Sequence, residues 1–385
     1  MPPGPRHTAL MLEMFLAGPP GAEPVILAEA REHGFADLVA TPGGVEFSGP
    51  LSEAWRANLL LRCPTRVLIR LARFPAAHLA QLDRRARRLP WGALLRADVP
   101  VVVTATTRAS RIYHQGAAAQ RLETALAETL GAPVVGTSEP ADDPAAISVL
   151  LRIERNLCTV SIDASGAPLH RRGFKLAVGK APLRETLAAI LLRQAGFDGS
   201  EPVVDPMCGS GTLVLEAAEI ACGLAPGRHR AFAFERLAGF DAEAWEAIRD
   251  AAMPREPEHA PRYHGSDRDA GVVDMARANA ERAGLADHAT FAQRAIRDAQ
   301  PPDGPSGLVI VNPPYGDRIG DKTALRGLYG ALGRTLTERF SGWRAAVVTS
   351  EPALAQAMGL PLERPPPPLP HGPLRIRLHR TGVIA

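Results

Sequence analysis

The order of hydrophobic and polar positions divides this chain into a front part of short strands and separate helices and a back part in which strand and helix alternate. In the front part, residues 10–16 read as a strand and 23–32 as a helix ended by Gly34. A strand at 37–40, a Gly43-Gly44 turn and a strand at 45–48 complete a small α+β unit. Residues 51–61 are helical. Strands are expected at 67–71, 99–105, 147–153 and 157–162, with a helix at 116–130. Residues 137–144 form a polar, proline-bearing loop, and Arg155-Asn156 predicts a tight hairpin. A basic, glycine-containing connector at 169–180 leads to a helix at 183–194.

The back part opens with Val203-Val204 and a helix at 213–220, then a strand reaching Asp267 and a helix at 270–283 stopped by Gly284. Strands follow at 289–296, 308–311, 347–349 and 374–379. Residues 223–261 read as an insertion with one helix, 242–252, and the proline-rich stretch 364–370 receives no element. This alternation predicts an α/β, mainly parallel, doubly wound Rossmann-like sheet behind an α+β region. Ligands of such sheets sit outside the carboxyl ends of the strands.

Composition changes this picture in three ways. At 385 residues and 46% hydrophobic, the chain can bury two or three cores. Lys175, Lys180 and Lys322 are its only lysines, so arginine carries nearly all positive charge, which together with 36 prolines reads as a GC-rich coding bias. Between Arg56 and Arg121 thirteen arginines face only Asp83 and Asp98, a basic concentration that the net charge of +3 conceals. Such a local excess is the footprint of phosphate contacts. The candidate RNA contacts are Arg84, Arg85, Arg87, Arg88, Arg108 and Arg111, with Arg171, Arg172 and Lys180 of the connector. An ordinary solvated helix face remains the alternative for residues 84–88.

Cys63, Cys158, Cys208 and Cys222 form no Cys-x-x-Cys pair and the 11 histidines are scattered, so neither a metal nor a disulfide framework is expected, in keeping with a reducing cytoplasm. Glu13 breaks the apolar start, which reads as a first strand rather than a signal peptide, and no run approaches a membrane span.

Candidate chemistry lies at two strand ends. Asp205-Pro206-Met207-Cys208-Gly209-Ser210-Gly211-Thr212 is a strand, a glycine turn and a helix start, where free backbone N–H groups face an anion. Thr212 stands where a phosphate loop needs lysine, and Val214 where a dinucleotide site wants a third small residue. A smaller anion fits, such as the methionine carboxylate of S-adenosylmethionine, with Asp205 accepting from its ammonium. A purely structural corner is the alternative. Asp267 is the expected ribose-binding acid, although the insertion sets it far beyond the usual spacing. Asp298 is placed to accept from an adenine amino group, or is an ordinary loop acid.

Asn312-Pro313-Pro314-Tyr315 closes the strand 308–311. An exocyclic amine on a purine is a poor nucleophile because its lone pair is delocalised into the ring. If Asn312 Oδ1 and the Pro313 carbonyl each accept one amine hydrogen, the nitrogen turns towards tetrahedral geometry and the lone pair is freed, without a strong base. The prolines fix φ and remove competing N–H donors. Tyr315 can stack on the extruded base. The two motifs together indicate an S-adenosylmethionine-dependent amino-methyltransferase.

Nearly the whole chain resembles the bacterial THUMP-domain 23S rRNA guanine-N2 methyltransferases, in particular the methyltransferase half of the two-headed large-subunit enzyme. The likeness lies in residues 169–173, 181–189, 205–212, Ala225-Pro226-Gly227, 265–267 and 312–318. It implies a ferredoxin-like segment over 1–55, a THUMP RNA-binding domain over 56–165, a connector over 166–182 and a class I methyltransferase domain over 183–385. It further implies S-adenosylmethionine as cofactor, a guanine 2-amino group of 23S rRNA as acceptor, and a cytoplasmic place of work. Asp317 and Arg318 keep the family's acid and arginine, whereas the Lys175 connector and residues after Gly359 depart from it. The same modification on tRNA is the nearest rival. DNA adenine and protein glutamine methyltransferases share Asn-Pro-Pro-Tyr but need no basic front half, and a non-catalytic RNA-binding protein need not keep the motif.

Overall fold

The computed structural model describes residues 11–134, 145–175, 183–253, 263–316 and 322–385. Backbone contacts divide the chain into two units. The first comprises residues 1–18, 26–169 and 230–251, and the second 19–25, 170–229 and 252–385.

The first unit is built on strands β1 (Leu12–Ala17), β2 (Val39–Thr41), β3 (Gly44–Gly49), β4 (Arg66–Pro75), β5 (Val101–Arg108), β6 (Ile147–Glu154) and β7 (Leu157–Asp163), in the sheet order β2-β3-β1-β4-β7-β6-β5. All neighbours are antiparallel except β5 and β6. Its helices are α1 (Glu23–Glu32), α2 (Leu51–Leu60), α3 (Leu79–Ala86) and α4 (Gln115–Thr129). Because β4 pairs with β1 on one side and β7 on the other, one continuous sheet runs across the boundary expected at residue 55.

The insertion holds a second difference. The stretch 223–261 was expected inside the methyltransferase domain, yet residues 230–251 belong to the first unit. They bring a cluster of rings with them. Phe234 stacks on Trp55 at 5.8 Å between centroids and meets Trp245 edge-on at 4.9 Å, and Phe240 lies 5.3 Å from Trp55. Rings of this size dominate core energetics.

The second unit carries α5 (Glu185–Gln194), β8 (Val203–Asp205), α6 (Thr212–Ala221), β9 (Tyr263–Asp267), α8 (Ala270–Ala283), β10 (Ala289–Gln293), β11 (Leu308–Val311), α9 (Lys322–Arg339), β12 (Arg344–Thr349), α10 (Pro352–Gln356), β13 (Leu369–His371) and β14 (Leu374–Val383); α7 (Ala242–Ala251) is the inserted helix of the first unit. Sheet order is β10-β9-β8-β11-β12-β14-β13. Strands β8 to β12 are parallel and β14 runs against β12, so the doubly wound fold expected from the alternation is present. From β8 the chain adds β9 and β10 on one side, then β11 and β12 on the other. The order therefore reverses between β8 and β11, the switch point at which open α/β sheets bind ligands. One core of this unit gathers Val309 and Val311 with Tyr329, Leu332, Leu336, Phe340 and Trp343.

Candidate active site

Asp205 is the last residue of β8 and Asp267 the last of β9, and Asn312 follows the last residue of β11. Register pairs Asp205 with Gly265 and Val204 with Val309, so all three functional candidates stand at the carboxyl ends of neighbouring parallel strands. This is the placement expected from the strand ends, reached despite the insertion that separates Asp205 from Asp267 in sequence.

The glycine turn is held from three sides. Cys208 N–H donates to the Ser266 carbonyl (2.9 Å), Gly209 N–H to Asp267 Oδ2 (3.1 Å), and the buried Asn279 on α8 donates to the Ser210 carbonyl (3.1 Å). Gly211 caps α6 at φ 86°, and a Cβ there would stand 2.9 Å from the Phe291 ring. At Gly265 a Cβ would lie 2.5 Å from the same ring and 3.0 Å from Cys208 Sγ, so two glycines let turn and strand close on Phe291. A Cβ on Gly209, by contrast, would meet nothing within 4 Å: the turn is open on that side.

Asp205 is buried at 2% exposure, and Met207 N–H donates to its Oδ1 at 3.0 Å. Burial pushes its carboxyl up to about 8; the Met207 bond opposes this and the Asp267 carboxylate adds to it. A cation placed beside Asp205 would favour the carboxylate form that burial disfavours. Asp267 is only half-buried, and its second oxygen accepts from Asp269 N–H (3.1 Å). The buried Asp205, the open turn and the helix start thus match, in charge, the ammonium and carboxylate of an amino acid moiety. Asp298 is placed differently from expectation: β10 stops at Gln293, and Asp298 ends a 3-10 helix, Ile296–Asp298, exposed beside Arg297 (3.5 Å).

At the Asn312 corner the acceptors divide. Tyr329 Oη donates to the Pro314 carbonyl (3.4 Å), and Gly316 N–H donates to Glu351 Oε1 (3.0 Å). Asn312 Oδ1 is buried and has no hydrogen-bond partner among the described residues. An orphaned buried acceptor costs roughly 1–3 kcal/mol and calls for an explanation. Tyr315 packs against the core that carries Tyr329, and its hydroxyl is hydrogen-bonded to His371 Nδ1 at 3.0 Å. Burial raises the Tyr315 phenol and lowers His371, the latter helped by Arg184, so His371 is neutral at pH 7.

Sequence reasoning missed four residues here: Asn279, Tyr329, Glu351 and His371. The last ends β13, one residue past the proline-rich stretch that received no element. Only Asn279, at a buried position of a confidently periodic helix, left a signal in the sequence.

The candidate RNA contacts separate. Arg172 is 2% exposed and pairs with the buried Glu216 (3.3 Å), so it is a structural ion pair and not a surface contact. Arg87 is tied to Asp83 (3.0 Å) and to Glu128. Arg84, Arg85, Arg88, Arg108, Arg111 and Arg171 are exposed. Lys180, Asp317 and Arg318 lie outside the described residues. Much of the apparent arginine excess is cancelled by acids outside the counted stretch: Arg66 pairs with the distant Asp163, Arg70 with Glu13 (2.9 Å) and Glu46 (2.7 Å), and Arg56 with its helix neighbour Glu53 (2.8 Å). Among the described residues no helix is long and apolar enough to cross a membrane, and no group of three or more His, Cys, Asp or Glu side chains is placed to hold a metal.

Comparisons with known proteins agree with this geometry. Residues 172–363 match the RMKL-like methyltransferase domain, and residues 13–68 the RlmL ferredoxin-like domain. The chain is 37% identical over 365 residues to a ribosomal RNA large subunit methyltransferase K/L of Syntrophotalea carbinolica, covering 91% of this chain and 50% of that protein. To its namesake of Magnetococcus marinus it is 35% identical, over 94% of this chain and 52% of the other. It therefore spans about half the length of these relatives. Among solved structures, a candidate methyltransferase complexed with SAH, SMU.472, superposes with a TM-score of 0.86 at 26% identity, over 96% of this chain and 98% of that one. A Listeria monocytogenes protein predicted to be an N6-adenine-specific DNA methylase gives a TM-score of 0.87 at 29% identity, over 97% of each chain.

Proposed function

Since the chain belongs, through residues 172–363, to the RMKL-like methyltransferase family, we propose that it transfers a methyl group from S-adenosylmethionine to the exocyclic 2-amino group of a guanine in 23S rRNA. The observation that carries this reading is the orphaned Asn312 Oδ1 at the carboxyl end of β11.

S-adenosylmethionine, when bound, supplies an electrophilic methyl group. Asp205 would hold its ammonium. The amides of the Pro206 to Thr212 turn, with Cys208, Gly209 and Gly211 shaping it, would hold its carboxylate. Asp267 would take the ribose hydroxyls and Asp298 the adenine amine. Asn312 Oδ1 and the Pro313 carbonyl accept the two hydrogens of the target amine, which localises its lone pair. They are fixed dipoles aimed at the positive charge that grows on nitrogen. Tyr329 occupies the Pro314 carbonyl, so that oxygen does not compete for the amine. The nitrogen gains a methyl group and gives up one proton to solvent. Tyr315 stacks on the flipped base, with His371 fixing the tilt of its ring. Residues 56–165 act as a THUMP-type RNA-binding region.

Asn312→Ala tests the proposal. Turnover should fall by on the order of a hundredfold, as for loss of one preorganised electrostatic partner, while the cofactor dissociation constant stays put. An unchanged methyl-transfer rate would remove the amine-activation role. Nucleoside mass spectrometry of 23S rRNA and tRNA from a deletion strain, mapped to position, reports the acceptor: loss of a 2-methylguanine from tRNA alone would overturn the rRNA assignment.

A further inference from the structure

Of the four non-glycine residues with positive φ among the described residues, three lie at one end of the first unit's sheet: Ala109 (46°), Arg155 (50°) and Asn156 (64°). Four strand ends meet there, because Pro75 pairs with Leu157, Leu157 with Glu154, and Glu154 with Arg108. The loops are stitched together. Ala76 N–H donates to the Asn156 carbonyl (2.9 Å), Arg155 N–H to the Arg108 carbonyl (3.2 Å), and Arg111 N–H to Asn156 Oδ1 (2.8 Å). Positive φ at Arg155 and Asn156 is what a two-residue hairpin between Glu154 and Leu157 requires, and at Ala109 it persists because surrounding contacts impose it.

What the stitching assembles is positive. A cavity of about 320 Å³ opens between residues 75–77, Asn156 and the α3 side chains Gln81, Arg84 and Arg85. Arg108, Arg111 and Arg155 ring the same loops, all exposed. The acid at this end, Glu154, is held by Arg152 at 2.6 Å and lies 4.0 Å from Arg108. Among the described residues Arg84, Arg85 and Arg111 pair with no carboxylate, and Arg155 forms no ion pair but adds its charge to those acting on Glu154. Beside them Tyr113 is 81% exposed: Thr107 Oγ1 donates to its carbonyl (3.0 Å), which pins the backbone while the ring stays in water. Leu157 adds a second exposed apolar surface.

We infer that this sheet end docks a single-stranded segment of the RNA substrate, its phosphates on Arg84, Arg85, Arg108, Arg111 and Arg155 and one base stacked on Tyr113. The inference rests on the RNA reading of the proposed function and narrows it, since none of Tyr113, Arg155 or Asn156 stood out in the sequence as an RNA contact. Guanidinium forks match phosphate oxygens, which accounts for the arginines. A freely exposed ring beside them selects unpaired bases, because a duplex keeps its base faces stacked.

The test uses the full chain and three fluorescent probes: a mixed-sequence RNA 12-mer, the same sequence as a duplex, and an acidic peptide. For Arg84→Glu/Arg85→Glu, binding of the single strand should weaken at least tenfold, and its salt slope should fall by about 1.4, two phosphates at roughly 0.7 each. Tyr113→Ala should cost roughly five- to hundredfold on the single strand and leave the duplex unchanged. All three side chains are exposed, and thermal melting verifies that the variants fold. Wild-type affinity in the arginine variant, an equal loss on duplex for Tyr113→Ala, or preference for the acidic peptide would each overturn the inference. Calorimetric binding of S-adenosylmethionine is scored separately. If the cofactor fails to bind while the single strand behaves as expected, the methyltransferase reading falls and the docking site stands.

Discussion

Asp205 shows how much a single buried group can report. Its carboxyl, lifted from 3.8 to about 8, keeps its proton at neutral pH in the ligand-free protein. A raised carboxyl stabilises the fold below its ordinary value, and that stabilisation is lost as pH rises through about 8. The melting temperature of the ligand-free protein should therefore fall between pH 4 and 8, and Asp205→Asn should flatten that slope. A cationic ligand needs the carboxylate form, so cofactor binding should release a proton below pH 8 and tighten as pH approaches it; calorimetry in buffers of different ionisation enthalpy measures the release. Asp267→Ala should weaken cofactor binding by roughly ten- to hundredfold, the range for a charged hydrogen bond, and an unaltered dissociation constant would reassign that acid. His371 acts through Tyr315. His371→Ala should lower turnover about three- to tenfold, the worth of one hydrogen bond, with cofactor affinity unchanged, and His371→Gln should restore part of it. A merely structural role would show no rescue.

Elements were legible where punctuation and period agreed. Residues 23–32, 270–283 and 308–311 form the elements expected of them, because glycine stops and a clean apolar pattern set their ends. Helix α9 was not anticipated: Gly327, Gly330 and Gly333 interrupt its sequence, and glycine lowers helix propensity. The structure supplies a reason for one of them. A Cβ on Gly333 would stand 1.9 Å from the Met358 carbonyl, so that glycine lets the chain after α10 lie against α9. Gly333→Ala should accordingly destabilise the protein by about 1–3 kcal/mol in denaturant unfolding despite its better helix propensity; a stabilised variant would show that the contact relaxes freely. Strand β13 was hidden for a similar reason, since Pro367, Pro368 and Pro370 surround Leu369. The site was half legible. Asp205, Asp267 and Asn312 follow from strand ends, whereas Tyr329, Glu351 and His371 are joined to the corner only by folding. Charge counting failed where pairing is remote, as for Arg66 with Asp163 or Arg172 with Glu216.

At the scale of the molecule, the two units do not follow one another along the chain. The domain boundaries expected from sequence separate a front from a back, but residues 230–251 return to the first unit with Phe232, Phe234, Phe240 and Trp245. Trp245→Ala should therefore destabilise the first unit by about 3–5 kcal/mol, although the residue lies within the methyltransferase stretch by sequence. Hydrogen exchange resolved by segment would locate the loss, and exchange confined to residues 263–385 would contradict the assignment. The same return sets a schedule for synthesis. The first unit lacks its last aromatic ring until Trp245 has been added, 76 residues after 169, which at ribosomal speeds is a wait of roughly 4–15 s. Until Phe234 and Phe240 are added, Trp55 has no ring to stack on, so a pause in that stretch of the message would prolong the seconds in which the front of the protein is most exposed to aggregation.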